Sequence, residues 1–166
     1  MADITKEKFS EIIYRSISDE NTSGGYTKLV RTLYKKMFSS VDYAKPDEEK
    51  MRKLLERLKS RGHAPQPFKH AQCLAGANRI KSKSKCWQRS DNQLHKENAS
   101  PMLCRGCLFS WTSEEHVHGM ELDLDSLKSE AVTLPPSSIA RINMEYDIED
   151  LEDTLRYHKS YLGKRI

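Results

Sequence analysis

Hydrophobic residues recur at helical spacing at the start of the chain and predict two helices. The first is expected to be capped by Asp3 or Thr5, and turn-forming residues at 19–25 end the pattern. The second is expected from Tyr26 to about Ser40, with basic residues opposite its apolar stripe. The apolar faces are Ile4, Phe9, Ile12, Ile13 and Ile17 in the first helix, and Leu29, Val30, Leu33, Tyr34, Met37 and Phe38 in the second.

A third helix is predicted between Pro46 and Gly62. Pro46 suits a first helical turn, and the acids that follow it lie where the helix dipole favours negative charge. Basic residues occupy the other end, and Gly62 is a typical residue just beyond a helix. The apolar edge consists of Met51, Leu54, Leu55 and Leu58. These three helices define an N-terminal helical region, residues 1–62.

The helical period disappears between His63 and Ser113. In residues 64–67 two prolines fix their own φ angles and restrict the residues before them, so this stretch is expected to be extended. Residues 71–77 are expected to form no more than a short turn of helix. The middle of the chain is therefore predicted to have irregular structure.

Helical spacing returns in the acidic C-terminal part. Residues 120–127 fit either a short strand or a helix, and Leu134-Pro-Pro136 then breaks the chain. Residues 139–144 are either extended or the start of a helix. The last helix is expected to begin at Tyr146 or Asp147, with acids early, bases late and His158 on its surface.

Composition places the chain among small intracellular proteins. It has 166 residues, of which 37% are hydrophobic and 31% charged, so its core is modest and part of it is expected to need a metal or a partner to become ordered. No signal peptide or membrane span is expected. We therefore expect a cytoplasmic or nuclear location, where cysteines serve more often as metal ligands than as disulfides.

The net charge of +4 hides a strong division along the chain. Residues 1–51 are balanced, residues 52–107 carry thirteen bases against three acids, and the remainder carries six bases against twelve acids. A basic middle is typical of a surface that meets phosphates. The acidic C-terminal part is expected to fold back on it.

All four cysteines and five of the six histidines lie between His63 and His118. Cys104-Arg-Gly-Cys107 places two thiols where a tight turn can present both to one Zn²⁺ ion. This clustering predicts at least one structural zinc site, and we expect it to include Cys104 and Cys107. The chain thus divides into regions 1–62, 63–118 and 119–166, and the fold class is mostly α, with N-terminal helices and a C-terminal helix around an irregular zinc-stabilised centre.

Spacing leaves three zinc ligand sets open. In the first, two ions are bound, one by His70, Cys73, Cys86 and His95, the other by Cys104, Cys107, His116 and His118. In the second, one ion is bound by Cys86, His95, Cys104 and Cys107. In the third, the ligands are the four cysteines. A catalytic metal is not expected, because no H-E-x-x-H or deaminase pattern is present, and we predict that the protein is not an enzyme.

The basic middle also contains the candidate nucleic-acid contacts. Five bases surround Cys86 and Trp87, and an aromatic side chain beside cations can stack on an unpaired base. The alternative for Trp87 and Trp111 is packing over the metal site. The predicted contacts are Arg79, Lys81, Lys83, Lys85, Trp87, Arg89, Lys96 and Arg105.

These features predict a small regulatory or viral accessory protein that binds zinc and nucleic acid, with RNA or single strands favoured. The alternative is an adaptor that engages a partner protein through its helices and zinc loop, with the basic surface meeting an acidic one. No membrane contact is expected, and a homo-oligomer is compatible with either function.

Overall fold

A computed structural model describes residues 2–18, 21–38 and 47–162, apart from the side chains of residues 2 and 3. The described residues form six α-helices: α1 (Ala2–Ser18), α2 (Gly25–Met37), α3 (Glu48–Ser60), α4 (Pro101–Arg105), α5 (Glu114–Ala131) and α6 (Ile139–Tyr161). They also form six short strands: β1 (Thr22–Ser23), β2 (Gln66–Pro67), β3 (Gln72–Cys73), β4 (Trp87–Gln88), β5 (Gln93–Leu94) and β6 (Ser110–Ser113). The mostly α class is confirmed. Within the described ranges, no helix has the length and apolar character needed to span a bilayer.

A small antiparallel sheet lies at the centre of the fold. Its strand order is β1-β6-β3-β2, and β6 is paired on both sides. In register, Ser23 lies opposite Thr112, and Cys73 lies opposite Ser110. The sheet therefore brings the segment after α1, the cysteine-rich middle and the start of α5 together. Strands β4 and β5 form a separate hairpin.

The main core lies where α1, α2 and α3 meet this sheet. Trp111 of β6 is fully buried, and its indole N–H donates a hydrogen bond to the Ser16 Oγ (3.1 Å). Trp111 is therefore a core residue and is not available to stack on a base. The predicted helix faces are largely buried here, but Ile4 is 72% exposed and lies outside the core. The cluster includes Phe9, Ile12, Ile13, Ile17, Tyr26, Val30, Leu33, Tyr34, Leu54, Leu58, Leu74 and Phe109.

Helix α3 ends where its sequence predicts but begins at Glu48, after the extended cap residue Asp47. The Asp47 side chain accepts a hydrogen bond from the Glu49 N–H (2.8 Å), which satisfies a free donor at the helix start. Gly62 follows with a φ of 85°, a conformation that favours glycine. Pro46, which the sequence placed in the first turn, lies outside the described residues. The predicted caps of α1 are wrong, because this helix already begins at Ala2.

The C-terminal part forms a hairpin of two long helices. Val117 and Met120 of α5 pack against Leu151 and Leu155 of α6. Residues 120–127 are therefore helical. The predicted start of the last helix is wrong, because Ser138 caps α6 by accepting a hydrogen bond from the Arg141 N–H (3.2 Å) and the helix begins at Ile139.

Two further expectations are corrected. Residues 71–77 contain strand β3 and no helical turn, because Gln72 and Cys73 pair with β6. His158 is not on the surface but only 2% exposed, because this part of α6 packs against β1. The middle of the chain is thus built from short strands and turns that the hydrophobic period does not reveal.

Candidate nucleic-acid interface and cysteine cluster

Cys73, Cys104 and Cys107 are placed together by the central sheet and the turn that enters it. The Ser110 N–H donates to the Cys107 carbonyl (3.2 Å), and Ser110 pairs with Cys73 across the sheet. The Cys107 N–H donates to the Cys104 carbonyl (3.0 Å), which closes the turn after α4. Helix α4 itself is capped by Ser100, whose hydroxyl accepts from the Leu103 N–H (3.1 Å).

Cys86 is brought to the same place by the β4–β5 hairpin. Its carbonyl accepts a hydrogen bond from the His95 N–H (2.9 Å). Lys96, the next residue, reaches across to the Gln66 Oε1 (2.6 Å), and Gln66 pairs with Cys73. The hairpin is thus tied to the strand that carries Cys73.

The four thiols lie within electrostatic reach of one another. Burial, together with nearby Cys107, Cys73 and Cys86, raises the pKa of Cys104 to about 12. Burial also raises the pKa of Cys73 and of Cys86, while the Lys96 ammonium acts in the opposite direction on both. All four cysteines are free thiols. Anionic thiolates in this cluster would therefore require a nearby cation.

His95, His116 and His118 are engaged elsewhere. The two ring nitrogens of His95 lie 2.5 Å from an Asp91 carboxylate oxygen and 2.7 Å from one of Glu97, and these hydrogen bonds raise the pKa of His95. The His116 Nδ1 accepts a hydrogen bond from the Ser113 N–H (3.1 Å), which caps α5 and leaves its proton on Nε2. His118 is exposed, with Nδ1 3.9 Å from a Glu121 oxygen.

The remaining histidines are buried. Burial lowers the pKa of His63 and of His158 to about 4, with positive neighbours contributing, and it lowers the pKa of His70. The His63 Nε2 is hydrogen-bonded to the Asn78 amide (2.8 Å). The Nε2 of His70 is buried without a hydrogen-bond partner. These rings are therefore neutral near pH 7.

Within residues 2–18, 21–38 and 47–162, no group of three or more Cys, His, Asp or Glu side chains is positioned to hold a metal ion. The zinc-stabilised centre is therefore not shown, and the three ligand sets remain predictions. The surroundings of the candidate ligands nevertheless differ between cysteines and histidines. The four thiols are near enough to influence one another's pKa, whereas hydrogen bonds direct His95 towards carboxylates and His116 towards the start of α5.

The predicted nucleic-acid contacts fall into two groups. Six are side chains that point away from the core: Arg79, Lys81, Lys83, Lys85 and Arg89 are exposed, and Trp87 is half-buried. Lys81 and Lys83 lie on a single 3₁₀ turn. Lys96 and Arg105 form the second group. Lys96 is bound to Gln66 beside the cysteine cluster, and half-buried Arg105 is the last residue of α4.

A larger positively charged feature adjoins this loop, and we call it the basic groove. Its main hollow, of about 900 Å³, lies between α2, the end of α3, the residues after Asn78, and Tyr157 of α6. A second hollow of about 520 Å³ shares the lining residues Gly106 and Tyr157 with the first, so the two are adjacent. The cations that line the groove are Lys28, Lys36, Arg61, Arg79, Lys85 and Arg105.

Among the residues that the structure describes, the six groove cations have no acidic partners. No Asp or Glu of the described residues lines either hollow. None of the six forms an ion pair within the described part of the chain, whereas cations such as Arg52, Lys53 and Arg156 each pair with an acid on the same helix. Leu29, Ile80 and Tyr157 line the groove among the cations. The groove therefore combines uncompensated positive charge with apolar and aromatic surface.

Sequence reasoning identified only part of this groove. Lys28 and Lys36 were assigned to the polar face of α2, and Tyr157 carried no assignment. One sequence signal could have indicated the groove cations. No acid lies three or four residues from Lys28, Arg61, Arg79 or Arg105, in a chain rich in such pairs.

The chain matches no protein-family model, no curated protein and no solved structure.

Proposed function

We propose that the protein binds nucleic acid, with single-stranded RNA favoured, along the basic groove. The observation that supports this most strongly is the set of six groove cations, which have no acidic partner among the described residues and line two adjacent hollows. Cations left unpaired in the folded state are available to neutralise phosphates and to release their counterions. The proposed activity is binding and not catalysis.

Single strands are favoured over a duplex because the groove is lined by more than charge. Tyr157 lies at the junction of the two hollows, and Leu29, Leu33 and Ile80 line the larger one. Unpaired bases can stack on aromatic and apolar side chains while cations hold the backbone, whereas bases within a duplex are already stacked. Half-buried Trp87, on the neighbouring hairpin, is a second candidate for stacking.

The exposed loop beside the groove extends the same surface. Arg79 and Lys85 belong to both features, and Lys81, Lys83 and Arg89 continue the positive charge outward. We propose that the loop attracts the strand and that the groove holds it. Charge removal from the loop should then slow association, whereas charge removal from the groove should speed dissociation.

Fluorescence anisotropy with a labelled single-stranded RNA and with a duplex of the same sequence tests this proposal. The triple variant Arg61→Gln, Arg79→Gln, Arg105→Gln should bind the single strand at least about tenfold more weakly, which corresponds to about 1.4 kcal/mol. A matched triple variant, Arg52→Gln, Lys53→Gln, Arg156→Gln, loses the same charge from exposed, ion-paired positions. It should bind within about twofold of the wild type.

Equal losses in the two variants would show that only net charge matters and would refute the groove as the binding site. Failure of the wild-type protein to bind either RNA would refute the function itself. Tighter binding to the duplex than to the single strand would refute the stacking part of the proposal.

A second candidate function, that of a protein-interaction adaptor, is favoured by exposed apolar residues in the first part of α6. Ile139, Ile142 and Tyr146 lie about one turn apart on α6 and are 77%, 42% and 64% exposed. Exposed apolar residues grouped in this way are typical of a protein contact. Under this proposal Ile142→Glu should abolish capture of a partner protein without affecting RNA binding. Loss of self-association in the same variant, measured by light scattering, would instead identify a second copy as the partner.

A further inference from the structure

Four cysteines from separate parts of the chain converge beside the central sheet. Cys73 lies in β3, opposite Ser110, and the Ser110 N–H donates to the Cys107 carbonyl (3.2 Å). Cys104 and Cys107 are joined by a backbone hydrogen bond of 3.0 Å across a turn. The C-x-x-C turn therefore ends at Cys107, one hydrogen bond from the strand that pairs with Cys73.

The β4–β5 hairpin completes the cluster from the other side. The His95 N–H donates a hydrogen bond to the Cys86 carbonyl (2.9 Å). Leu94, which precedes His95, packs against the main core. Cys107 belongs to that core, and Cys73 packs against it. Cys86 thus belongs to a hairpin whose Leu94 packs against the same core as Cys73 and Cys107.

We infer that Cys73, Cys86, Cys104 and Cys107 together bind one structural Zn²⁺ ion. Thiolate is the ligand that zinc prefers in closed four-coordinate sites, and such sites leave no open position for catalysis. Binding would release up to four protons, one from each thiol that is protonated beforehand, and would form four Zn–S bonds. The resulting site would carry a net charge of −2, which the Lys96 ammonium beside Cys73 and Cys86 would partly balance.

The same geometry favours this set over the ligand sets that contain histidine. His95 has both ring nitrogens bonded to carboxylates, and the Nε2 of His116 carries its proton. The exposed ring of His118 lies beside Glu121.

The zinc site would support one wall of the basic groove. Arg105 and Gly106 lie between two of the ligands, and both line the smaller hollow. A Cβ atom at Gly106 would lie 3.7 Å from the Lys85 side chain, which is one residue before Cys86. The zinc proposal does not depend on nucleic-acid binding, and its test measures the metal alone.

X-ray absorption at the zinc edge, on reduced wild-type protein loaded with one equivalent of Zn²⁺, tests the ligand set directly. Four sulfur neighbours at about 2.3 Å are expected, with no nitrogen neighbour at about 2.0 Å. Native mass spectrometry should show one ion per chain, removable by a chelator. A nitrogen in the coordination shell, two ions per chain or no bound ion would each overturn the proposal.

The zinc affinities of two variants provide a second test of the ligand set. Cys86→Ser should weaken zinc binding at least about a hundredfold, because it removes a direct ligand and loss of a supporting group alone costs about 10–100-fold. His95→Gln removes a ligand of both histidine-containing sets that involve Cys86, and it should leave zinc affinity within about twofold of the wild type. Equal losses in Cys86→Ser and His95→Gln would overturn the four-cysteine assignment.

Discussion

Ser23 and His158, which are 135 positions apart in the chain, are joined by a hydrogen bond of 2.9 Å between the Ser23 Oγ and the His158 Nδ1. Both side chains are buried, each with 2% of its surface exposed. The bond fastens the C-terminal half of α6 to strand β1. It therefore positions Tyr157, the residue next to His158, at the junction of the two hollows of the basic groove.

Acidification is predicted to weaken the fold through His158. Burial, assisted by nearby His70, Arg105 and His116, lowers the pKa of His158 to about 4 from an unfolded value near 6.5. The unfolded chain therefore binds more protons between these values, so stability falls as the pH drops from about 6.5 to about 4. The full shift corresponds to about 3 kcal/mol.

Urea denaturation of wild-type protein and of His158→Gln at pH 7 and pH 4.5 measures this contribution. The glutamine variant should be less stable at pH 7 and should lose less stability on acidification than the wild type. The control His118→Gln removes an exposed ring and should retain the wild-type pH dependence. An identical pH dependence in wild type and His158→Gln would contradict the prediction.

Ser16→Ala is predicted to destabilise the protein by about 1–3 kcal/mol. The Ser16 hydroxyl donates to the Ile12 carbonyl (2.6 Å) and accepts from the buried Trp111 indole N–H (3.1 Å), so its removal leaves a buried donor unsatisfied. Ser18 makes the same kind of bond to the Tyr14 carbonyl (2.8 Å) at an exposed site. Ser18→Ala should change the free energy of unfolding by less than about 0.5 kcal/mol. Similar losses at both positions, measured by thermal or urea unfolding, would refute the role of the indole contact.

Two glycine-to-alanine substitutions should have opposite effects. A Cβ at Gly25 would lie 2.4 Å from the Cys107 carbonyl oxygen and 2.8 Å from the Leu108 Cα, so Gly25→Ala must push α2 away from the cysteine turn. In Gly119→Ala the new methyl group meets nothing within 4 Å, and α5 should gain about 0.5–1 kcal/mol. Melting temperatures test both. A neutral Gly25→Ala variant would contradict the close contact between α2 and this turn.

Elements whose determinants lie close together in the chain could be predicted from the sequence. Helix α3 has its cap at Asp47, its acids early and its apolar edge within thirteen residues, so all its determinants lie next to one another. The sheet could not be predicted in this way. Strands of two residues have no measurable alternation, and β1 exists only because β6, about ninety residues later, pairs with it.

The candidate functional residues also divide into those that could be predicted from the sequence and those that depend on the fold. The concentration of Cys104, Cys107 and the other ligand types was visible in the sequence, but the choice among them depends on the fold. Only the folded chain shows that His95 and His116 have other partners. The basic groove was hidden for the same reason, because Lys28, Arg61 and Arg105 come from three different helices or helix ends.

The salt dependence of single-stranded RNA binding tests the central claim most directly. If five or six groove cations neutralise phosphates, the logarithm of the binding constant should fall with the logarithm of salt concentration with a slope of about −3.5 to −4. The triple variant Arg61→Gln, Arg79→Gln, Arg105→Gln should show a slope that is shallower by about 2. A wild-type slope near zero, or an unchanged slope in the triple variant, would contradict the proposal that the groove binds nucleic acid.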